Sequence, residues 1–247
     1  RRRGARRRRR DGVRHRQAAL TALARPPRLT AESERLLEDA RGDAERFDVP
    51  VETRTILSHQ GIAEVFDAAR EHDVDTVVMG YGGARLAGGR VEGAFDELAR
   101  ELPCDFLVLK EREFDPSNVL LPTAGGYSSG LSAEVARALR DTVDADVSLL
   151  YVADDGELES GREFIAEWAA EHGLADAELL VETGDVERAI ESAAVDRSLV
   201  VVGATEEGLL SRIVGGSLAI SVLEELDTSV LLAERPRSRT LRERLLR

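Results

Sequence analysis

Cysteine, lysine, tryptophan and long apolar runs are almost missing from this chain of 247 residues. Cys104 is the single cysteine, which excludes an internal disulfide framework and a thiolate metal cluster and fits a reducing compartment. It opens the apolar run CDFLVLK and reads as a small buried hydrophobe rather than a nucleophile. Lys110 is the only lysine; every other basic side chain is an arginine. The four histidines, His15, His59, His72 and His172, are scattered, without the H-x-x-x-H or carboxylate spacing that a metal site needs. Ser128, Ser129 and Ser132 lie outside any G-x-S-x-G elbow, and helix capping explains them. Tyr127 and Trp168 are isolated aromatics suited to packing. No segment approaches the roughly 20 apolar residues of a transmembrane helix. These absences leave little on which to build catalysis, and the expectation is a protein that is not an enzyme.

Acidity is what the chain has in excess. Its net charge is −13, although residues 1–17, RRRGARRRRRDGVRHRQ, hold ten arginines against one aspartate. The remainder is therefore still more acidic, which argues against nucleic acid as a partner. Residues 1–17 show no apolar periodicity and are expected to be disordered in isolation. Such a polybasic run beside a membrane would bind anionic headgroups and lie on the cytoplasmic side. It is not a secretory signal, because ALTALA before Arg25-Pro26-Pro27 is too short for the apolar core of one. The start at Arg rather than Met points to a fragment of a longer polypeptide. A lysine-poor acidic surface is associated with salt-adapted organisms.

Apolar runs alternate with helical periodicity along the rest of the chain. Thr76–Gly80 and Leu199–Gly203 are β-branched runs that end in glycine, read as buried strands. Gly93 follows Gly80, and Gly216 follows Gly203, by the same thirteen residues. A helix and a further apolar strand, Asp105–Lys110 or Ser229–Leu232, come after each. Duplication at about half the chain length indicates two domains rather than a solenoid. The reading is residues 1–17 as an Arg-rich segment, 18–112 as a first domain, 113–235 as a second and 236–247 as a basic tail. In the first domain Ala18–Ala24 is a weak strand, Thr30–Phe47 a helix, Val51–Leu57 a strand and Gly61–His72 a helix. It lacks an opening strand and helix, and the Arg-rich segment stands in their place. The second domain is complete, from the strand NVLLPT (118–123) onward. Strands alternating with helices predict parallel βαβ units and open doubly wound sheets.

The duplicated unit resembles the universal stress protein family, whose nucleotide-binding members carry G-x2-G-x9-G-[S/T] after the fourth strand. Gly80, Gly83 and Gly93 meet all three glycine positions in the first copy, with Ala94 in place of Ser or Thr. Gly203, Gly216 and Ser217 match in the second, where Glu206 occupies the middle position. The resemblance covers almost all of residues 18–235. It implies two tandem Rossmann-like domains with open parallel sheets, the first truncated at its N-terminus. It also implies an intramolecular pseudo-dimer in which Asp105–Lys110 pairs with Ser229–Ala233, or else a homo-oligomer.

The same resemblance implies an adenine nucleotide, ATP or AMP, as a ligand but not as a required cofactor. Its residues would be Gly80, Gly83, Gly93 and Ala94 in the first copy. Pro122, Thr123, Val152, Gly203, Gly216 and Ser217 would serve in the second. Glycines let a backbone approach an anion, and a helix N-terminus offers free N–H groups; they serve close helix–sheet packing equally well. Ala124 stands where nucleotide binders have aspartate, and Glu206 and Glu207 would face the phosphates. Two like charges ~4 Å apart repel by about 4 kcal/mol at an effective dielectric of ~20, which Arg212 offsets in part. Arg85 and Arg90 favour the first copy. The chain is also similar to the cytoplasmic tails of archaeal amino-acid permeases, which implies a transmembrane transporter domain as partner and tethering at the inner face of the cell membrane. The alternatives are a free-standing dimerisation scaffold and weak ATP hydrolysis.

Overall fold

Short aliphatic runs form the strands here, and segments with apolar residues three and four apart form the helices between them. The computed structural model describes residues 18–24, 31–57, 62–81, 102–126, 128–203 and 226–236. Elements run in the order β1 (Ala18–Ala24), α1 (Ala31–Glu45), β2 (Val51–Leu57), α2 (Ile62–Glu71), β3 (Thr76–Gly80) and β4 (Asp105–Lys110). Then follow β5 (Asn118–Pro122), α3 (Ser129–Val143), β6 (Asp146–Ala153) and α4 (Leu158–Glu171). The last are β7 (Glu178–Thr183), α5 (Val186–Ala194), β8 (Leu199–Gly203) and β9 (Ser229–Glu234). The expected strands are all present, several to the residue.

Two compact units result, divided between Ala68 and Ala69. In the first, β1 and β2 form a two-stranded parallel sheet, Ala18 opposite Val51 and Ala24 opposite Leu57, with α1 between them in the chain. In the second, seven strands form one sheet in the order β3-β4-β9-β8-β5-β6-β7. All its neighbours are parallel except β4 and β9, which run antiparallel with Phe106 opposite Glu234 and Lys110 opposite Val230. The expected pairing of Asp105–Lys110 with the last strand is thus observed. The expectation of two open parallel sheets is corrected. Antiparallel pairing across β4 and β9 fuses the strands of both copies into one mixed sheet, and β1-β2 stand as a separate sheet.

Strand order explains this division. Read outward from β9, the second copy is β9-β8-β5-β6-β7, so its opening strand β5 is central, bonded to β8 on one side and β6 on the other. The first copy matches it as β4-β3 and β1-β2, with no described strand in the place of β5.

Alternation sorts the seven-stranded sheet into two faces. Val119, Leu121, Val147, Leu149, Leu199, Val201, Leu231 and Ala233 meet Leu131, Ala133 and Ala136 of α3 and Ile165, Trp168 and Ala169 of α4 in one buried cluster. Leu120, Leu150, Val200, Val230 and Leu232 are equally buried on the opposite face. Strands covered on both sides read as continuous apolar runs, as parallel strands do.

Cys104 lies at the entry to β4 and is buried. Burial, followed by the neighbouring Asp105 carboxylate, pushes its thiol up to about 11 from an ordinary 9.0. The expectation of an inert thiol agrees with this. Above pH ~9 the unfolded chain loses a proton that the folded chain keeps, so stability present at lower pH declines as pH rises towards ~11. The loss is on the order of 3 kcal/mol. Urea midpoints measured from pH 8 to 11 should fall less steeply in Cys104→Ala than in the unmodified chain.

Candidate nucleotide-binding crevice

In open α/β sheets a ligand sits beyond the carboxyl ends of the strands, where the order reverses. For β5, β6 and β8 those ends carry Pro122-Thr123, Val152-Ala153 and Gly203, and the fold brings the predicted Pro122, Thr123, Val152 and Gly203 to one edge. Gly80 ends β3 at the corresponding edge of the first copy's strands. Gly83, Gly93, Ala94, Gly216 and Ser217 lie outside the described residues, as do Arg85, Arg90, Glu206, Glu207, Arg212, His59 and Tyr127.

Alternation places Pro122 and Val152 on the sheet face opposite α3. Pro122 is buried, and Val152 is partly exposed beside Glu182 of β7. Val152 is therefore the apolar group at this edge with surface left to meet a flat ring. Thr123 is almost fully buried and already engaged. Its backbone N–H donates to the carbonyl of Leu150 at 2.9 Å, and its Oγ1 accepts from the N–H of Gly125 at 3.1 Å. Gly125 has φ +73°, and a Cβ there would come within 2.6 Å of Phe164 Cζ. Phe164 in turn lies against Tyr151, ring centroids 4.9 Å apart. The turn after β5 is thus held by its own hydroxyl and an aromatic pair from α4 and β6. Ala124, next in the chain, is exposed and supplies no carboxylate.

Gly203 faces the other way. A Cβ built on it would stand 2.9 Å from the carbonyl carbon and oxygen of Ser128 and from the nitrogen of Ser129. The first turn of α3 lies directly on the end of β8, and only glycine admits it. Gly203 therefore has a packing reason that is independent of any anion.

The serines are not caps in the expected sense. Ser128 occupies the N-cap position of α3 without a side-chain capping bond; its Oγ accepts from the N–H of Arg235 at 3.4 Å. Ser132 Oγ donates back to the carbonyls of Ser128 and Ser129, each at 3.2 Å. Trp168 packs as expected, stacked on His172 at 4.2 Å, and His172 Nδ1 donates to the carbonyl of Trp168 at 2.8 Å. Among the described residues no group of three or more His, Cys, Asp or Glu side chains is placed to hold a metal ion.

Two polar anchors escaped sequence reasoning. Arg235 pairs with Asp105 of β4 at 3.3 Å and with Glu134 of α3 at 2.9 Å. Burial alone would lower its pKa, but the hydrogen bonds it donates to Glu134 and Asp105 outweigh it and the pKa rises. Lys110 is buried and donates to the carbonyl of Leu226 at 2.7 Å. Their partners lie 101 to 130 residues away in sequence, so no local pattern announces them. The singularity of Lys110 was the one available signal.

Parallel strands joined through helices, with the last strands of two copies paired in one mixed sheet, define the class: a Rossmann-like α/β fold. The sequence profile of the universal stress protein family matches residues 12–110, the part of the chain that holds the first copy. Among solved structures, a universal stress protein from Archaeoglobus fulgidus is similar over 89% of this chain and 86% of its own, with TM-score 0.64 and 14% identity. The cytoplasmic domain of a prokaryotic cation chloride cotransporter is similar over 89% and 85%, with TM-score 0.63 and 13% identity. A protein of unknown function from Pseudomonas aeruginosa PAO1 is similar over 88% and 82%, with TM-score 0.60 and 16% identity. At these identities the likeness is one of fold, and it spans both copies. No curated protein sequence matches. No described helix is long and apolar enough to cross a membrane.

Proposed function

We propose that this chain is a non-catalytic regulatory module of the universal stress type, attached to a membrane transporter of small solutes such as amino acids. An adenine nucleotide is its effector. The observation that carries the reading is the single seven-stranded sheet: β4 and β9 join the copies by backbone hydrogen bonds, so a change at one strand edge is felt across a continuous element. The transporter context is supported by the cotransporter's cytoplasmic domain, which shares this fold over nearly its whole length. The Arg-rich segment 1–17 would then lie near an anionic inner leaflet. A nucleotide biases the transporter only if it binds two conformations with different affinity.

The second-copy crevice offers Val152 to an adenine, but its Thr123 hydroxyl and Gly203 are committed to the protein itself. With Glu206 in its loop, it disfavours a triphosphate. The glycine loop of the first copy is the better phosphate site. Calorimetry with ATP and AMP at high salt should give micromolar binding that is lost in Gly83→Glu and kept in Gly216→Ala. Absence of binding to the unmodified chain would leave the scaffold reading in its place. ATP turnover that disappears in Glu206→Gly would contradict the non-catalytic assignment.

A further inference from the structure

The β4–β9 junction has the form of a two-fold axis whose two sides carry different charges. Parallel register fixes which residues correspond. Thr76 lies opposite Asp105 as Leu199 lies opposite Ser229, and Gly80 lies opposite Leu109 as Gly203 lies opposite Ala233. Val108 therefore corresponds to Leu232, Lys110 to Glu234 and, one residue further on, Glu111 to Arg235. Across the junction Val108 faces Leu232 at the centre, with Phe106 opposite Glu234 on one side and Lys110 opposite Val230 on the other. Apolar positions repeat about this axis; the charges do not.

We propose that these charges make the edge of β9 a docking surface matched to β4 of a first copy and closed to β9 of another chain, and that Lys110, Asp105 and Arg235 set the choice. A strand edge offers backbone hydrogen bonds to any other strand, so side chains must select the partner. Two polar contacts cross this junction. Lys110 is buried and donates to the carbonyl of Leu226 at 2.7 Å. Arg235 pairs with Asp105 at 3.3 Å, both side chains largely buried, while it also holds Glu134. Were β9 to meet β9 of a second chain in the same register, Glu234 would stand where Lys110 stands. Its carboxylate would face the Leu226 carbonyl, acceptor against acceptor, and Arg235 would meet Ser229 in place of Asp105. Pairing β4 with β4 would set Glu111 beside Asp105, like charge against like. Charges buried without a partner are strongly destabilising, and like-charge contacts suppress wrong partners. The connection 111–117 strengthens the matched pairing. The N–H of Arg112 donates to Ser229 Oγ, and Ser229 Oγ donates to the carbonyl of Arg112, each at 3.0 Å.

Sedimentation and hydrogen exchange on variants of the whole chain test the choice. In Lys110→Glu, pairing β9 with β4 or with another β9 sets a carboxylate on the Leu226 carbonyl. Amides of β4 and β9 should then exchange at least about tenfold faster, those of β5 and β6 should keep their protection, and no new dimer should form. Lys110→Arg, which keeps the cation, should retain native exchange. Lys110→Glu combined with Glu234→Lys returns an ammonium to the Leu226 carbonyl in β9–β9 pairing alone. That double variant should sediment as a dimer, with β9 protection that rises with concentration. A dimer already formed by Lys110→Glu, or a double variant that associates no more than the native chain, would overturn the proposal. So would unchanged exchange in Lys110→Glu. Protection lost across β5 and β6 in Lys110→Arg as well would make Lys110 a general stability residue and overturn it too.

Discussion

Gly203→Ala is expected to destabilise the folded chain by about 1–3 kcal/mol, and Gly203→Val by more, in the absence of any ligand. The added Cβ would lie 2.9 Å from three backbone atoms of Ser128 and Ser129, which cannot rotate aside as a flexible side chain would. The first turn of α3 must retreat, and with it Ser128, whose Oγ accepts from the N–H of Arg235. Gly80→Ala provides the control at the equivalent position of the first copy. Nothing lies within 4 Å there, so its effect should stay within about 1 kcal/mol. Urea denaturation of both variants separates two origins for this glycine pair. If Gly203 existed only to admit a phosphate, its alanine variant would keep its stability and lose only affinity.

Phe106→Ala should cost about 3–5 kcal/mol, the larger of the two effects. Phe106 is 1% exposed in β4, a strand bonded to β3 on one side and to β9 on the other. Its diagonal neighbour on the same face across the junction is Leu232, itself fully buried. Side chains placed in this way interact across a strand pair. The double variant with Leu232→Ala should therefore depart from additivity by at least about 0.5 kcal/mol. Strict additivity in denaturation would mean that the two strands do not share a packed junction.

Much of the architecture was legible from residues alone, for reasons that differ between elements. β8 and β9 announced themselves because strands buried on both faces must be apolar throughout, and their lengths rule out helices. Asp185 caps α5 in the ordinary way, its carboxylate accepting from the N–H of Arg188 at 3.0 Å. Ser128 misled, because a serine before a helix resembles a cap whether its hydroxyl serves the helix or a distant strand end. The parallel-sheet expectation failed at one pairing only. That these strands pair came from the family resemblance rather than from periodicity; that they run antiparallel is a property of how two copies meet, and only the structure shows it.

The candidate site divided in the same way. Spacing marked Gly80 and Gly203 as equivalent, since a duplication preserves offsets. Only the tertiary structure showed that Gly203 lies against the first turn of α3, while among the described residues a Cβ at Gly80 would meet nothing within 4 Å. Likewise Lys110 and Arg235 draw their partners from more than a hundred residues away, where local composition carries no information. By itself the sequence determined the elements and the duplication, because these are local or periodic properties of the chain. The tertiary structure alone decided that β4 and β9 run antiparallel and join strands of both copies in one mixed sheet, because the direction in which two strands meet depends on contacts between residues far apart in the chain.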